Sequence, residues 1–594
     1  MHTSHEQAAR HPVKRLVACY AVVACATVVA FWSSLDNGFL PWDDDIYVSN
    51  NPDITALGLT NVTRVFSSSY SSNYQPLTML SYMVDFRLFG WNAKGYHATN
   101  LVLHVINGLL VFALAMRLSR RRKTSLVVAL LFAVHPLRVE SVAWIAERKD
   151  VLSALFYLLS LYLYARRLQE GRARLYWLCL LSLLLSLLSK PMAVSQPIVL
   201  LLMDYLYGRR LDRNNLIDKI PFFALAFLFA ATALFTQRSG GAVQSFFEVP
   251  ILQRLCVPFY GLVFYLAKAL VPVRFCALYP LPPELPTSAM YALYTAPLLV
   301  LGGAVLLYRF RAFSRPLVFG SLFYLVTLLP VLQIVPIGNA MVAERYSYLP
   351  LLGPCLALAS LFRFLFAPKL CGRVSRSLVG VGFAAAIVVL GGITYHRCGS
   401  WRNGFTLWND VLAKYPSAVA YGNRGQSYLA LGMFDRAIED LDRAISLSPE
   451  YFEAYDNRGF AHISKGEYDL AIEDHTRALR LNPKDAIAYN NRALAYRYKG
   501  DYARAVEDLS TAIGLKPTAV AYSNRGASRN AMGDYRRAIE DFTESTRLNP
   551  EYKAAFFNRG LAYHALGDED QALRDFGKAC ALGHHLACQR LARK

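Results

Sequence analysis

The sequence predicts an all-α protein in two parts, a polytopic bundle of membrane helices followed by a solenoid of paired helices. Three observations predict it. Of the 594 residues, 55% are apolar and the mean hydropathy is positive, which is too apolar for one ordinary soluble domain. Between positions 16 and 395 the apolar residues fall in blocks long enough to cross about 30 Å of hydrocarbon as helices, and no such block follows Trp401. Beyond it, Pro416, Pro449, Pro483, Pro517 and Pro550 recur every 33 or 34 residues.

The candidate spans lie, in order, near 14–34, 97–117, 124–143, 150–166, 174–190, 191–207, 216–236, 250–272, 290–309, 315–336, 346–367 and 377–395. The first follows Lys14 and Arg15 and reads as an uncleaved signal anchor, since no small-residue cleavage pattern precedes Leu35. Of the net charge of +21, residues 1–400 carry +19 and residues 401–594 only +2. The excess sits in short clusters between blocks, at 117–123, 166–174, 209–213, 309–315 and 363–376. That is the positive-inside pattern, and it argues against a nucleic-acid partner. Clusters on one face require an even number of crossings between them, and only the interval from 213 to 309 disobeys. Its weakest block, 250–272, is interrupted by Gln253, Arg254 and Lys268 and carries Tyr260 and Tyr265, so it reads as interfacial or re-entrant. About eleven crossings remain. They leave the amino terminus cytoplasmic and put residues after 395 on the far face, with the loops 35–96, 135–150, 189–196, 237–287 and 336–348.

The carboxy-terminal period is that of tetratricopeptide (TPR) repeats. Small residues recur on the first helix (Gly425, Gly459, Ala493, Gly526, Gly560) and on the second (Ala437, Ala471, Ala505, Ala538, Ala572), with Tyr421, Tyr455, Tyr489, Tyr522 and Phe556 filling a larger position. About five repeats run from 417 to 584. The domains are therefore 1–396, a linker and lead-in helix at 397–416, and a repeat array at 417–594. A ladder of Asn423, Asn457, Asn491, Asn524 and Asn558 falls at the position that faces a TPR groove, where amides can hydrogen bond a peptide backbone without reading its sequence. The alternative is a neutral consensus residue. Most of the ten cysteines lie in apolar blocks. Cys580 and Cys588 resemble the bridged pair of Sel1-type repeats, which an oxidising compartment would allow.

The strongest polar signal is Trp42, Asp43, Asp44, Asp45, just past the first span. Adjacent carboxylates so near a membrane are costly unless used or solvated. The alternative is a solvated turn or helix cap before Asn51 and Pro52. Together with the runs His135-Pro136-Leu137-Arg138-Val139-Glu140-Ser141 and Ala343-Glu344-Arg345-Tyr346-Ser347-Tyr348, and with the repeats, this order resembles the GT-C fold glycosyltransferases, closest to the transmembrane TPR-containing protein O-mannosyltransferases. The resemblance implies transfer of a sugar, mannose in that family, from a polyprenyl-phosphate donor to Ser or Thr hydroxyls of a polypeptide held by the TPR groove. Transfer would occur on the periplasmic or lumenal side of a bacterial inner membrane or its equivalent.

Such chemistry needs a carboxylate to take the hydroxyl proton and cations for the leaving phosphate. Asp43 or Asp44 is the candidate base, with Asp45 third. Arg345 is the first candidate for the phosphate, with Tyr346 and Glu344 beside it. Arg138, Arg148 and Lys190 follow, snorkelling being the alternative for each. His135 and Glu140 are candidates for positioning donor or acceptor, although a histidine before proline also suits a local hydrogen bond. Gln75, Asp85, His97 and Asn100 are polar residues that can orient the first loop. The sequence has neither a paired-histidine nor a four-cysteine metal signature, and no cofactor is expected with certainty. Some GT-C enzymes use a divalent ion at the acidic pair, so an ion at Asp43–Asp45 stays open. A nucleotide-sugar donor is disfavoured by the lack of a Gly-rich phosphate loop. Two other functions compete: a non-catalytic membrane-anchored TPR scaffold for envelope assembly, and a lipid-linked polysaccharide polymerase or ligase.

Overall fold

The computed structural model describes residues 2–239, 250–279, 287–310, 315–334, 340–365 and 373–592. Among them it is helical, without a β-strand. It divides into two compact units, Met1–Tyr415 and Pro416–Lys594.

In the first unit, six helices are long and apolar enough to cross a bilayer: Lys14–Asp36, Ala93–Ser119, Ile145–Glu170, Ile220–Ser239, Thr287–Arg309 and Ser377–Trp401. The chain is an integral membrane protein. Helix Arg122–Val134 and the segment Pro136–Ala143 form a seventh apolar unit bent by 54°. The eleven crossings expected from charge also need the shorter apolar helices Ala173–Ser189, Pro191–Leu206 and Arg315–Val331, and the helix Leu352–Leu365. The weak block forms a helix, Ile251–Leu270, with Pro258 inside it. Parts of the expected far-side stretches 237–287 and 336–348, and of the charge clusters 309–315 and 363–376, lie outside the described residues.

Proline decides where the candidate residues emerge. Gln75, His135 and Lys190 each precede a proline that opens the next helical segment. Pre-proline residues avoid the helical region, so the chain breaks there. His135 is extended at φ −70°, ψ 133°, and Lys190 at φ −155°, ψ 130°. At His135 and Lys190 the break interrupts an apolar helix and presents a polar side chain at its end, whereas Gln75 closes the loop that leads into Pro76–Phe89. The helix Gly404–Leu412, expected as the lead-in to the repeats, packs within the first unit: Trp408 is buried beside Trp42, and Lys414 Nζ donates to the Phe275 carbonyl at 2.6 Å.

The second unit stacks five helix pairs, from Ala418–Ala430 through Glu569–Ala581, and ends in His585–Ala592. The small residues sit where expected. A Cβ on Gly425 would come within 2.9 Å of Leu441, and one on Gly560 within 2.7 Å of Phe576. Within each pair the turn is made by a glycine at positive φ, from Gly432 (71°) to Gly567 (82°), which a side chain would strain. Cys580 and Cys588 are bridged, tying the last helix to the one before it.

Candidate active site

The three adjacent aspartates point to three different environments. Trp42 stacks on Trp144 at 4.5 Å and fixes the start of the turn. Asp43 follows at φ +44°. Aspartate tolerates this left-handed region better than most residues, and such strain clusters at functional sites. The Asp43 carbonyl accepts from the Ile46 and Tyr47 amides at 3.1 and 3.0 Å. Its half-buried carboxylate accepts no hydrogen bond among the described residues. It lies in the field of Lys149, Arg345 and Glu147, and burial raises its pKa above the usual carboxylate value. Asp44 turns inward and is wholly buried. Its two oxygens accept from the Leu40 and Ala146 amides, both at 2.8 Å, and burial pushes its carboxyl up to about 7. Among the described residues the Asp45 carboxylate accepts only from the amide of Ile46, at 3.0 Å. The three carboxylates thus point apart, Asp44 accepting from backbone amides through both oxygens, and do not form a group of three that could hold an ion. Among the described residues no group of three His, Cys, Asp or Glu side chains does.

Facing the turn is a network of alternating charge. Arg345 binds Glu140 through its guanidinium and through its own amide (2.9 Å), and reaches Glu147 at 3.3 Å. Glu147 also receives Lys149 at 3.1 Å and Lys190 at 3.4 Å. Lys190 binds Asp150, which accepts from Ser141 as well. The ring of Tyr346 lies under Arg345 at 4.9 Å and near Lys190 at 6.0 Å. A small cavity of about 30 Å³ opens among Asp150, Lys190, Arg345 and Tyr346. Three cations thus meet at one buried carboxylate, Glu147, and among the described residues Lys149 pairs with no second carboxylate.

Other expected residues lie elsewhere. Arg148 is wholly buried, paired with Asp85 at 2.5 Å and bonded to Asn100 Oδ1 and the Tyr96 carbonyl. It pins helices together, away from the cluster around Glu147. Glu344 turns from its neighbour Arg345 toward Arg397 (2.8 Å), Tyr279 and the Cys276 amide. Both nitrogens of His135 are engaged, one locally and one on another helix: Nδ1 accepts from the Leu137 amide at 3.2 Å and Nε2 donates to the Ala269 carbonyl at 3.1 Å. Asn100 donates to the Val142 and Trp144 carbonyls and so holds the segment that faces the acidic turn. The Gln75 amide and the His97 Nδ1 are buried without a partner among the described residues.

Arg138 is wholly buried with no carboxylate near it among the described residues. It donates to the Phe132 and Ser347 carbonyls and lies over the Phe132 ring. With His135 it forms the polar end of an apolar cavity of about 530 Å³, walled by Leu262, Leu266, Ala304, Leu325 and others. An unpaired buried cation invites an anion.

Sequence reasoning missed Glu147, Lys149 and Asp150. The signal was the dense run Glu147-Arg148-Lys149-Asp150, of which only Arg148 was singled out; consecutive residues on a helical turn face different ways, so Arg148 and Lys149 part company. In the second unit a second ladder went unread. Arg424, Arg458, Arg492, Arg525 and Arg559, each one residue after a ladder asparagine, form forked pairs with Asp440, Asp474, Asp508, Asp541 and Asp575. The third nitrogen of Arg492 reaches back to Thr476 of the preceding pair, and that of Arg559 to Thr543. Of the asparagines, Asn491 donates to Asp456 and Asn524 to Asn490, across successive pairs, and Asn423 to its own helix.

Residues 76–235 match the family model described as dolichyl-phosphate-mannose-protein mannosyltransferase, a region that holds Glu140, Glu147, Lys149 and Lys190. Tetratricopeptide models match 418–451, 461–497, 486–518 and 526–582. The chain resembles the TPR-containing protein O-mannosyltransferases. It is similar to Protein O-mannosyl-transferase F38B6.6 of Caenorhabditis elegans, 25% identical over 452 residues that cover 72% of this chain and 63% of that protein. It is also similar to Protein O-mannosyl-transferase TMTC4 of Homo sapiens, 34% identical over 172 residues, 25% of this chain and 23% of that one. The chain therefore spans less than two thirds of the length of these relatives. Among solved structures, the crystal structure of MamA protein is 27% identical, covering 28% of this chain and 91% of its own, with a TM-score of 0.26, too low to argue from.

Proposed function

We propose that the chain transfers a sugar, mannose by its resemblance, from a polyprenyl-phosphate donor to Ser or Thr hydroxyls of a polypeptide. The observation that carries this reading is the unbonded carboxylate of Asp43 set beside the cations that crowd Glu147. Asp43 is the base. As the acceptor oxygen bonds to the anomeric carbon, the bond from that carbon to the phosphate oxygen breaks and the hydroxyl proton passes to Asp43. The lipid phosphate departs with the bonding electrons. Arg345, Lys149 and Lys190 stabilise its growing charge, and donors placed where charge develops are worth most in a dry site. The apolar cavity headed by Arg138 accommodates the isoprenoid chain, whose surface matches its aliphatic walls.

In this reading the site faces the periplasm or lumen, which agrees with the positive clusters on the opposite loops and with the Cys580–Cys588 bridge. The asparagine ladder holds the acceptor backbone, chiefly through Asn457 and Asn558, whose side-chain amides make no hydrogen bond among the described residues. The test is mass spectrometry of envelope proteins from cells lacking the chain, complemented with wild type or with Asp43→Asn. Hexose on Ser or Thr should return with wild type alone. Identical glycosylation in both strains would reject the reading in favour of a scaffold.

A further inference from the structure

The stretch 395–414 holds none of the residues assigned chemistry above, yet it touches both halves of the site. On the acidic side, Ser33 Oγ donates to the Tyr395 carbonyl at 2.6 Å, Asn37 Nδ2 to the Cys398 carbonyl at 3.1 Å, and the Gly38 amide to the Arg402 carbonyl at 3.0 Å. At the end of this seam, Trp42 lies among Trp144, Trp401 (6.5 Å) and Trp408 (4.9 Å). On the basic side, Arg397 grips Glu344, the residue before Arg345.

The seam matters because the Asp43 side chain has no hydrogen bond of its own among the described residues, its backbone carbonyl alone being held, by the Ile46 and Tyr47 amides. Its carboxylate is unbonded and its backbone sits at positive φ, so its place is set by its neighbours, Trp42 before and Asp44 after. Trp42 is only half-buried, whereas Trp144, Trp401 and Trp408 are buried, and none of their three indole N–H groups has a partner among the described residues. The Trp42 carbonyl accepts from the Asp44 amide at 2.6 Å, but its ring makes no hydrogen bond among the described residues and is placed by packing against the other three. Such packing depends on aromatic area, of which each tryptophan supplies about 150–250 Å².

We propose that Trp408 is a positioning residue: its ring holds Trp42, and through it Asp43, at the reacting position, making helix Gly404–Leu412 part of the catalytic unit as well as the lead-in to the repeats. The proposal rests on the transferase reading, and its test separates the two. The full chain is purified in detergent as wild type, Trp408→Leu and Trp408→Phe. Trp408→Leu keeps an apolar filling but no ring, and kcat for sugar transfer should fall by about tenfold or more, as small misplacements of a reacting group do. Donor KM should stay within about twofold, since the donor contacts are untouched. Trp408→Phe should recover most of the rate. Amide exchange over 38–47 should quicken by about tenfold in Trp408→Leu and stay near wild type in Trp408→Phe, with the repeats unchanged. Unchanged exchange over 38–47 in the leucine variant overturns the proposal, as does faster exchange with an unchanged kcat. If wild type transfers no sugar, the transferase reading fails, and exchange alone decides whether Trp408 holds the turn. Should Trp408→Leu not fold, Trp42→Leu breaks the same ring contact from its half-buried side; faster exchange over 38–47 supports the proposal and wild-type exchange rejects it.

Discussion

Replacing Asp43 with asparagine removes the proposed base and little else. Asparagine has the same shape and, like aspartate, accepts the left-handed backbone that φ +44° demands. No side-chain hydrogen bond is lost, because the carboxylate makes none among the described residues. The lost charge is one that burial already disfavours, as the raised pKa shows, so folding should not suffer. Activity should. Removing a general base costs about 10²–10⁴-fold in rate, which is roughly 3–5 kcal/mol of barrier. The assay is transfer of labelled sugar from polyprenyl phosphate to an unfolded polypeptide by the detergent-purified chain, alongside a thermal melt. Melting should stay within about 2 °C of wild type. A variant that keeps more than about a tenth of the wild-type rate would refute Asp43 as the base. So would an equal loss in Asp45→Asn, whose carboxylate bonds only its own turn among the described residues.

Asp44→Asn tests a separate point. With its carboxyl raised to about 7 from an ordinary value near 3.8, neutral Asp44 favours the fold fully below the ordinary value, and that contribution is lost as pH rises through 7. Melts of wild type should thus drop between about pH 4 and 7 relative to Asp44→Asn and run level above that, and parallel curves would contradict the buried placement. Arg345→Met leaves Glu140 buried without its cation and should cost about 3–5 kcal/mol of stability in a thermal melt; Arg345→Lys should fold and raise donor KM instead, being unable to bridge Glu140 and Glu147 together. Ala304→Trp fills the apolar cavity and should raise donor KM with kcat retained, read by initial rates against donor concentration. In the repeats, Arg492→Met strands Asp508 and should cost about 2 kcal/mol in urea unfolding, after allowance for the partly exposed guanidinium, with most of it regained in Arg492→Met/Asp508→Leu.

The fold was legible because both parts depend on periodic demands. A spanning helix needs an unbroken apolar block, and paired helices can approach only where Gly425, Gly459 and their equivalents omit a side chain. The site was legible as a set of segments and not as a set of side chains. Nothing in the run Asp43-Asp44-Asp45 tells which carboxylate turns inward; that depends on a single positive φ and on two backbone amides, one of them 102 residues away at Ala146. Adjacent residues likewise parted by direction. Arg345 entered the cluster while Glu344 turned to Arg397, and Lys149 faced Glu147 while Arg148 sank toward Asp85. The forked Arg–Asp ladder could have been read from the recurring spacing of 16 residues between Arg424 and Asp440 and between their equivalents. The asparagines beside it carry the familiar peptide-binding pattern and drew the reading first.

The central claim, sugar transfer from a lipid phosphate to protein, is tested most directly by reconstitution. Purified chain in detergent, given polyprenyl-phosphate mannose and an unfolded Ser/Thr-rich polypeptide, should yield peptide carrying O-linked hexose by mass spectrometry, and Asp43→Asn should yield none. Absence of hexose on the polypeptide with wild type, or sugar passed to a lipid-linked glycan in its place, would contradict the account.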